Sequence, residues 1–253
     1  MATVTQSKSA GITDDILAIR ERWHTKNHPF FRAFGEGKLP LRALGVYMAL
    51  HGKFVQYGLA SFGIFYARTI RHEDIRKAVA ENIAEEEGFK AIPREGHVPH
   101  DHNELIMRFC KAAGLTEDEV HAMKMPPAWW ARSLHYYTTG VNEPLGVVLA
   151  MQSTQEGQQP ALNTEIVLPA FARHYGYPAG SPQIEFFTEH AVADIEHSQR
   201  QAKLCAKYLD SDAAKARALE VAEQACMLRW ASVTELYRRD YLGEKDILPP
   251  GVS

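Results

Sequence analysis

Three side chains that can bind a cation recur at short spacing in HAVADIEH: His190, Asp194 and His197. At ~100° per residue, positions i, i+4 and i+7 of a helix fall within roughly 60° of one another, so two imidazoles and a carboxylate share one face. Phe187 lies on that face too, which makes it the buried side. Such a triad in a core calls for a positive charge between its members. One motif does not decide the matter, because His–Asp pairs at i, i+4 also occur on ordinary solvated helices.

Other segments supply further ligands. The helix opening at Pro144 carries Leu145, Val148 and Leu149, and Glu156, seven residues beyond Leu149, returns to the same stripe. With Gly157 and Pro160 close behind, the alternative is a helix-end glutamate in water. In the run Glu85, Glu86, Glu87, the inward stripe set by Ile75 and Val79 reaches Glu86, whereas Glu85 and Glu87 fall off it and read as a solvated pair. After Asp101 as N-cap, His102, Leu105, Ile106 and Phe109 follow at i, i+3, i+4 and i+7, so His102 also faces inward. His97 and His100, in the loop GHVPHD, are exposed on this reading, yet either could replace His102 as the ligand of the first half. So many polar groups inside an apolar core are costly unless paired or metallated. Carboxylate and imidazole without thiolate suit iron or manganese rather than structural zinc, and helix-borne Glu with a His motif is a pattern of dinuclear bundle cores.

The elements that must position these groups are helices. Ile16, Ile19 and Trp23 recur after Thr13, taken as an N-cap, and HPFFRAF follows. Residues 40–71 form a long, largely apolar helix; Thr116 and Glu119 have capping-box spacing, and Gly114 closes the helix before them. Further helices cover PPAWWARSLHYYTTG, the stretch from Pro144 to Gly176, and two long segments near 183–209 and 212–242. Alternating β-branched strands are absent, so an all-α bundle of seven or more helices is expected, with the site in its core. It forms one domain over residues 13–245, between short tails at 1–12 and 246–253.

Composition narrows the partners. With 253 residues, 45% hydrophobic and 23% charged, the chain can bury a sizeable core, which excludes disorder and collagen. A net charge of −3 leaves no basic excess to neutralise a phosphate backbone, so no nucleic acid is expected. Cys110, Cys205 and Cys226 lie far apart, giving neither a disulfide framework nor a zinc ribbon. No apolar leader and no 18-residue apolar run occur, so neither export nor membrane insertion is expected, and the cytoplasm is the expected compartment.

ENIAEEEG, HNELIMRFCKAAGL, the Glu of STQEGQQ and HAVADIEH, together spanning residues 81–197, resemble the heme-oxygenase-like diiron oxidases and oxygenases. Their superfamily also holds thiaminase-type and pyrroloquinoline quinone synthase proteins. The family pattern is a Glu, a His shortly after it, a lone Glu, then His-x3-Asp-x2-His. It falls on Glu86, His102, Glu156, His190, Asp194 and His197. The gap from Glu86 to His102, with Pro93 and Pro99 in it, is longer than the family usually shows.

The resemblance implies a heme-oxygenase-like helical bundle holding two Fe(II) per chain. Dioxygen would be the co-substrate, the substrate a small amino acid, amine or fatty acid, and the reaction N-oxygenation, desaturation or C–C cleavage. Glu86 and Glu156 would bridge, His102 and His190 would serve one iron, and Asp194 and His197 the other. The carboxylates Glu86, Glu156 and Asp194 would be the catalytic set. An external electron donor and a homodimer are also expected.

The same superfamily supplies rivals. A metal-free cofactor-biosynthesis enzyme, thiaminase-like or quinone synthase-like, would use core polar groups as acids and bases; the thiaminase type needs a central cysteine, which the segment around AMQSTQEG lacks. A non-catalytic iron-binding protein would bind metal without turnover. Heme would need a proximal histidine, His24 or His28. A branch that forms p-aminobenzoate uses its own tyrosine near the start of the chain, where NHPFFRAF offers Phe30 and Phe31. Trp129, Trp130, Tyr136 and Tyr137 could line a pocket, though core packing is the commoner use of such residues. Arg68 or Lys53 could meet a substrate carboxylate.

Overall fold

The computed structural model describes residues 11–90 and 98–244; the tail residues 1–10 and 245–253, Pro93 and His97 lie outside them. The elements are α1 (Ile12–Arg22), α2 (Pro29–Gly35), α3 (Leu41–Arg68), α4 (Glu73–Glu86), α5 (His102–Ala112), α6 (Glu117–Ala122) and α7 (Pro127–Asn142). They continue with α8 (Leu145–Glu156), α9 (Gln159–Ala161), a π-helical stretch Leu162–Val167, α10 (Leu168–His174), α11 (Glu185–His190), α12 (Ala193–Lys207) and α13 (Asp212–Asp240). Among the described residues there is no strand, only one antiparallel bridge, Glu87 to Asp101. The all-α expectation holds.

Helix α8 is the axis of the bundle, packed between α12 and α13, while α3 packs against α7, α5 and α4. Every residue of α8 from Gly146 to Gln155 is buried. A Cβ at Gly146 would come within 2.8 Å of the Tyr208 carbonyl oxygen, so only glycine lets α8 approach the end of α12 this closely. Apolar burial is continuous, from Phe30, Phe31 and Phe34 of α2 through Met48 and Phe65 of α3 to Trp129, Phe109 and Phe171. No helix among the described residues is long and apolar enough to cross a membrane.

Several local expectations hold atom by atom. The Asp101 carboxylate accepts from the backbone N–H of Asn103 at 2.7 Å, starting α5 at His102. Thr116 Oγ1 accepts from the Glu119 N–H, and Glu119 Oε2 from the Thr116 N–H, completing the capping box of α6. Gly114 ends α5 at φ +84°. Helix α1, by contrast, is capped by Gly11 and not by Thr13, because the helix already begins at Ile12.

Two expected helices are divided. The stretch 144–176 passes through α8, α9, the π-helical stretch and α10, with Pro160 and Pro169 near the changes of geometry, where their missing N–H groups interrupt the i to i−4 ladder. The segment 183–209 opens with a 3-10 turn, Pro182–Ile184, and breaks again at Ala191–Val192. There Val192 N–H bonds Glu189 O, and Ile195 N–H bonds Val192 O, both three residues back. His190 therefore ends α11, while Asp194 and His197 stand in the first two turns of α12.

Candidate metal centre

The loop between α4 and α5 is closed at its base. Gly88 and Phe89 end α4 in a Schellman arrangement, with Gly88 N–H on Glu85 O and Phe89 N–H on Ala84 O. Gly88 has φ +71°, and a Cβ there would lie 2.6 Å from the Asp101 backbone nitrogen. This glycine, with the Glu87–Asp101 bridge, sets the first residue of α5 beside the last of α4, so the long gap does not separate Glu86 from His102. Glu86 Oε2 lies 2.8 Å from His102 Nδ1.

The structure brings the six expected residues into two groups. Glu86, His102 and His190 have ligand atoms within 4.8 Å of one another, as do Glu156, Asp194 and His197. The three HAVADIEH residues thus do not converge on one point: the break at Ala191–Val192 sends His190 to one group and the other two to the second. His102 shares its group with His190, and Asp194 with His197, in the expected pairing. Glu86 and Glu156 stand one in each.

Orientation is fixed from behind. His190 Nδ1 donates to the Phe186 carbonyl oxygen at 2.8 Å, leaving the Nε2 lone pair for a ligand, and the ring stacks on Phe186 at 4.0 Å. His197 Nε2 lies 2.7 Å from Glu85 Oε2, while its Nδ1 faces Asp194 Oδ1 at 3.7 Å and Glu156 Oε2 at 3.9 Å. His102 repeats the arrangement, with Glu86 at Nδ1 and Glu189 Oε2 3.4 Å from Nε2. Gln201 Nε2 donates to Glu156 Oε2 at 2.8 Å.

Glu85 corrects the sequence reading. Expected in water, it is only 4% exposed and backs His197, whereas Glu87 is exposed. The helix end turns Glu85 and Glu86 toward two different histidines, so a single stripe does not describe them. Glu189, 1% exposed, was not singled out in the sequence, since nothing but its place beside His190 marks it. His100 lies instead with Glu185 and Glu189, its Nδ1 3.6 Å from Glu185 Oε1.

Electrostatics show what the donor set needs. Burial works against the His102 and His197 cations, but Glu86 and Glu189 around the first, and Asp194, Glu85 and Glu156 around the second, hold each at about 10. Burial opposes ionisation of Glu86 as well, and His102 nonetheless draws it down to about 2. Burial, with Asp194 and Glu86 close by, pushes Glu156 up to about 8. Glu156 Oε1 and Asp194 Oδ2 are buried without a hydrogen-bond partner among the described residues. Carboxylates with an orphaned oxygen, set beside an imidazole whose outer nitrogen is held, suit a divalent cation, whose binding displaces the imidazolium proton and weakens as pH falls.

A cavity opens onto both groups. It encloses about 560 Å³, counting open solvent at its mouth; Glu86 and His190 line it from one group, Glu156 and Asp194 from the other. Phe54, Leu59, Phe62 and Tyr136 form apolar wall, and Arg132 and Arg229 are its cations. Tyr136 is thus the one of the four aromatics of α7 that lines it. Trp129 is fully buried core, and Trp130 and Tyr137 stack edge-on against Tyr57.

The other proposed cations lie elsewhere. Arg68 donates to the carbonyls of Gly140 and Glu143, and Lys53 to that of His121. His28 has both ring nitrogens engaged, Nδ1 accepting from Phe30 N–H and Nε2 on Thr234 Oγ1, so it has no lone pair for heme; His24 Nδ1 caps the turn at Lys26. Cys110 and Cys205 are buried with their thiols pushed up to about 12, which suits small apolar residues and not nucleophiles.

Residues 44–230 match the sequence pattern of the family described as iron-containing redox enzymes, and the chain belongs to that family. It is an iron-dependent oxidoreductase. Among its relatives is the 4-aminobenzoate synthase of Nitrosomonas europaea, 25% identical over 217 residues that cover 86% of each chain. The 4-aminobenzoate synthase of Chlamydia trachomatis is also 25% identical, over 80% of this chain and 82% of its own. The fold is shared with a TenA homolog from Pseudomonas syringae (TM-score 0.71, 14% identity, 94% and 98% of the two chains). It is shared too with a heme oxygenase-like domain of unknown function from Shewanella denitrificans (TM-score 0.73, 14% identity, 94% and 96%).

Glu85 provides a test of the backing arrangement. Glu85→Gln keeps the volume and a hydrogen-bond acceptor but removes the charge behind His197. Loss of an outer partner of a ligating histidine costs ~10–100-fold in metal affinity, and that loss is expected in a competition titration with a ferrous chelator. Unchanged affinity would mean that Glu85 does not orient His197.

Proposed function

We propose that this protein is a dioxygen-dependent oxidase or oxygenase that works at a pair of irons on a small organic substrate. The observation that carries the reading is that two Glu/His/Asp groups, each with ligand atoms within 4.8 Å, open onto one cavity with an apolar wall. Glu86, His102 and His190 would hold one ferrous ion and Glu156, Asp194 and His197 the other; the pair would supply dioxygen binding and the electrons that reduce it.

The chain's own groups then have definable tasks. Glu85 and Glu189 each hold the outer nitrogen of a histidine, so the inner nitrogen keeps its lone pair toward the metal. Gln201 holds one oxygen of Glu156 and leaves the other free to change its binding mode. Phe54, Leu59 and Phe62 keep water from the reacting groups and present an apolar substrate body to them. Reducing equivalents would come from the substrate or from an external donor.

Anaerobic titration with ferrous ion is the test. About two irons per chain, followed by dioxygen consumption and a transient optical change on aeration, is the expected result. A metal-free cofactor-biosynthesis enzyme would take up no stoichiometric iron; an iron-binding protein without turnover would load but consume no dioxygen beyond a single oxidation of its metal. Either outcome overturns the proposal.

The names of the relatives favour a second reading, 4-aminobenzoate formation. Phe30 and Phe31 are fully packed core here; Tyr241 and Tyr237 pack on Phe30, and Tyr47 of α3 packs on both, its ring 5.1 Å from Phe31. Rescue of a 4-aminobenzoate auxotroph by the wild type but not by Tyr47→Phe would support that reading; rescue failing with the iron-loaded wild type would discard it.

A further inference from the structure

The cavity holds one buried cation that the metal groups do not use and whose donors the described residues leave largely unsatisfied. Arg132, on α7, is 3% exposed, and its guanidinium carbon sits 3.9 Å above the Phe54 ring and 5.3 Å from that of Trp129. Its Nε and Nη1 are buried with no hydrogen-bond partner among the described residues, and the Tyr47 hydroxyl that interacts with the guanidinium is a neutral group that leaves its charge uncancelled. The other buried arginine at the cavity is better supplied: Arg229 leaves its Nε without a partner but donates from Nη1 to Gln155 O at 2.7 Å and from Nη2 to Gln159 Oε1 at 3.1 Å. Burial, with the Arg229 charge nearby, draws the Arg132 guanidinium down to about 9, which still leaves it charged at neutral pH.

A buried guanidinium whose donors lack acceptors is expensive, and its ring contacts supply only part of the compensation. The carboxylates of the same cavity belong to the two metal groups. An anionic acceptor would therefore come from outside, and a carboxylate is the acceptor a guanidinium holds best. The neighbouring walls, Phe54, Val55, Leu59 and Phe62, offer that anion an apolar lining.

We propose that Arg132 binds the carboxylate of the substrate, and that the substrates are monocarboxylic acids with an apolar body. The inference rests on the cavity being the substrate chamber of the oxidase proposed above, and it makes Arg132 a specificity-determining residue.

Calorimetric binding of octanoate and 3-phenylpropionate, each against its primary amide, tests it on anaerobic iron-loaded protein and again on metal-free protein. The acids are expected to bind at least ~10-fold more tightly than the amides in both forms, since a hydrogen bond to a charged group is worth about that factor or more. Arg132→Gln is expected to abolish the preference and Arg132→Lys to retain part of it. Equal binding of acid and amide by the wild type overturns the proposal without recourse to any variant. So does an acid preference that survives in Arg132→Gln, or one that exists only with iron bound, which would assign the carboxylate to the metal. An acid preference in a protein that fails to take up two irons would leave Arg132 in this role and remove the diiron reading instead.

Discussion

Replacing Asp194 by Ala is expected to lower bound iron from roughly two per chain to roughly one, and to cut substrate-dependent dioxygen consumption by more than the ~100-fold that an outer partner's loss costs. Asp194 is one of only three groups around the second position, its Oδ1 3.7 Å from His197 Nδ1, whereas Glu86, His102 and His190 are untouched by the change. The metal-free variant is expected to be less stable than the metal-free wild type. Asp194 helps hold the buried His197 cation, and removing one partner of a buried pair outweighs the like-charge crowding with Glu156 that its loss relieves. Metal analysis of the purified variant and its thermal midpoint with and without iron check both halves. A variant that keeps two irons would show that Asp194 is not a ligand.

Much of this centre was legible because its ligands sit where helix grammar is clear. Asp101 caps α5, so the phase of His102 follows, and the structure finds it buried and beside Glu86. The sequence signal for Glu156 is weaker. Helix α8 is buried on nearly every side, and in such a helix a residue on the apolar stripe is no more inward than its neighbours. The break at Ala191–Val192 was not legible, since HAVADIEH contains neither Pro nor Gly and is consistent with one helix. Its consequence is large, because only the break lets one short motif feed two metal positions. Glu85, Glu189 and Arg132 escaped for a shared reason: charged side chains default to the solvated face when read from sequence, and only tertiary contacts show which are held inside.

Acidification is expected to destabilise the protein through histidines remote from the metal centre. Burial holds His28 at about 4 and, with Arg229 and Lys26 adding to it, His24 at about 3, against an ordinary value of 6.5. These bases are neutral when folded and protonate when unfolded. Between pH 6.5 and their folded values the unfolded chain therefore binds more protons, and stability falls as pH falls. Each pK unit is ~1.4 kcal/mol, so His28 alone can cost up to about 3 kcal/mol by pH 4, a large share of the ~5–15 kcal/mol that holds a domain together. The variant that isolates this term is His28→Asn. Asparagine is a favoured N-cap and can accept the Phe30 N–H now bound by His28 Nδ1, but it does not titrate. Urea unfolding at pH 7 and pH 4.5, at equal metal loading, is expected to show His28→Asn less stable than wild type at pH 7, because the contacts to Thr234 and Trp230 are lost, and to show the gap narrowing or reversing at pH 4.5. Parallel losses in the two proteins would mean that the acid sensitivity arises elsewhere, with the carboxylate–imidazole pairs of the metal centre the next place to look.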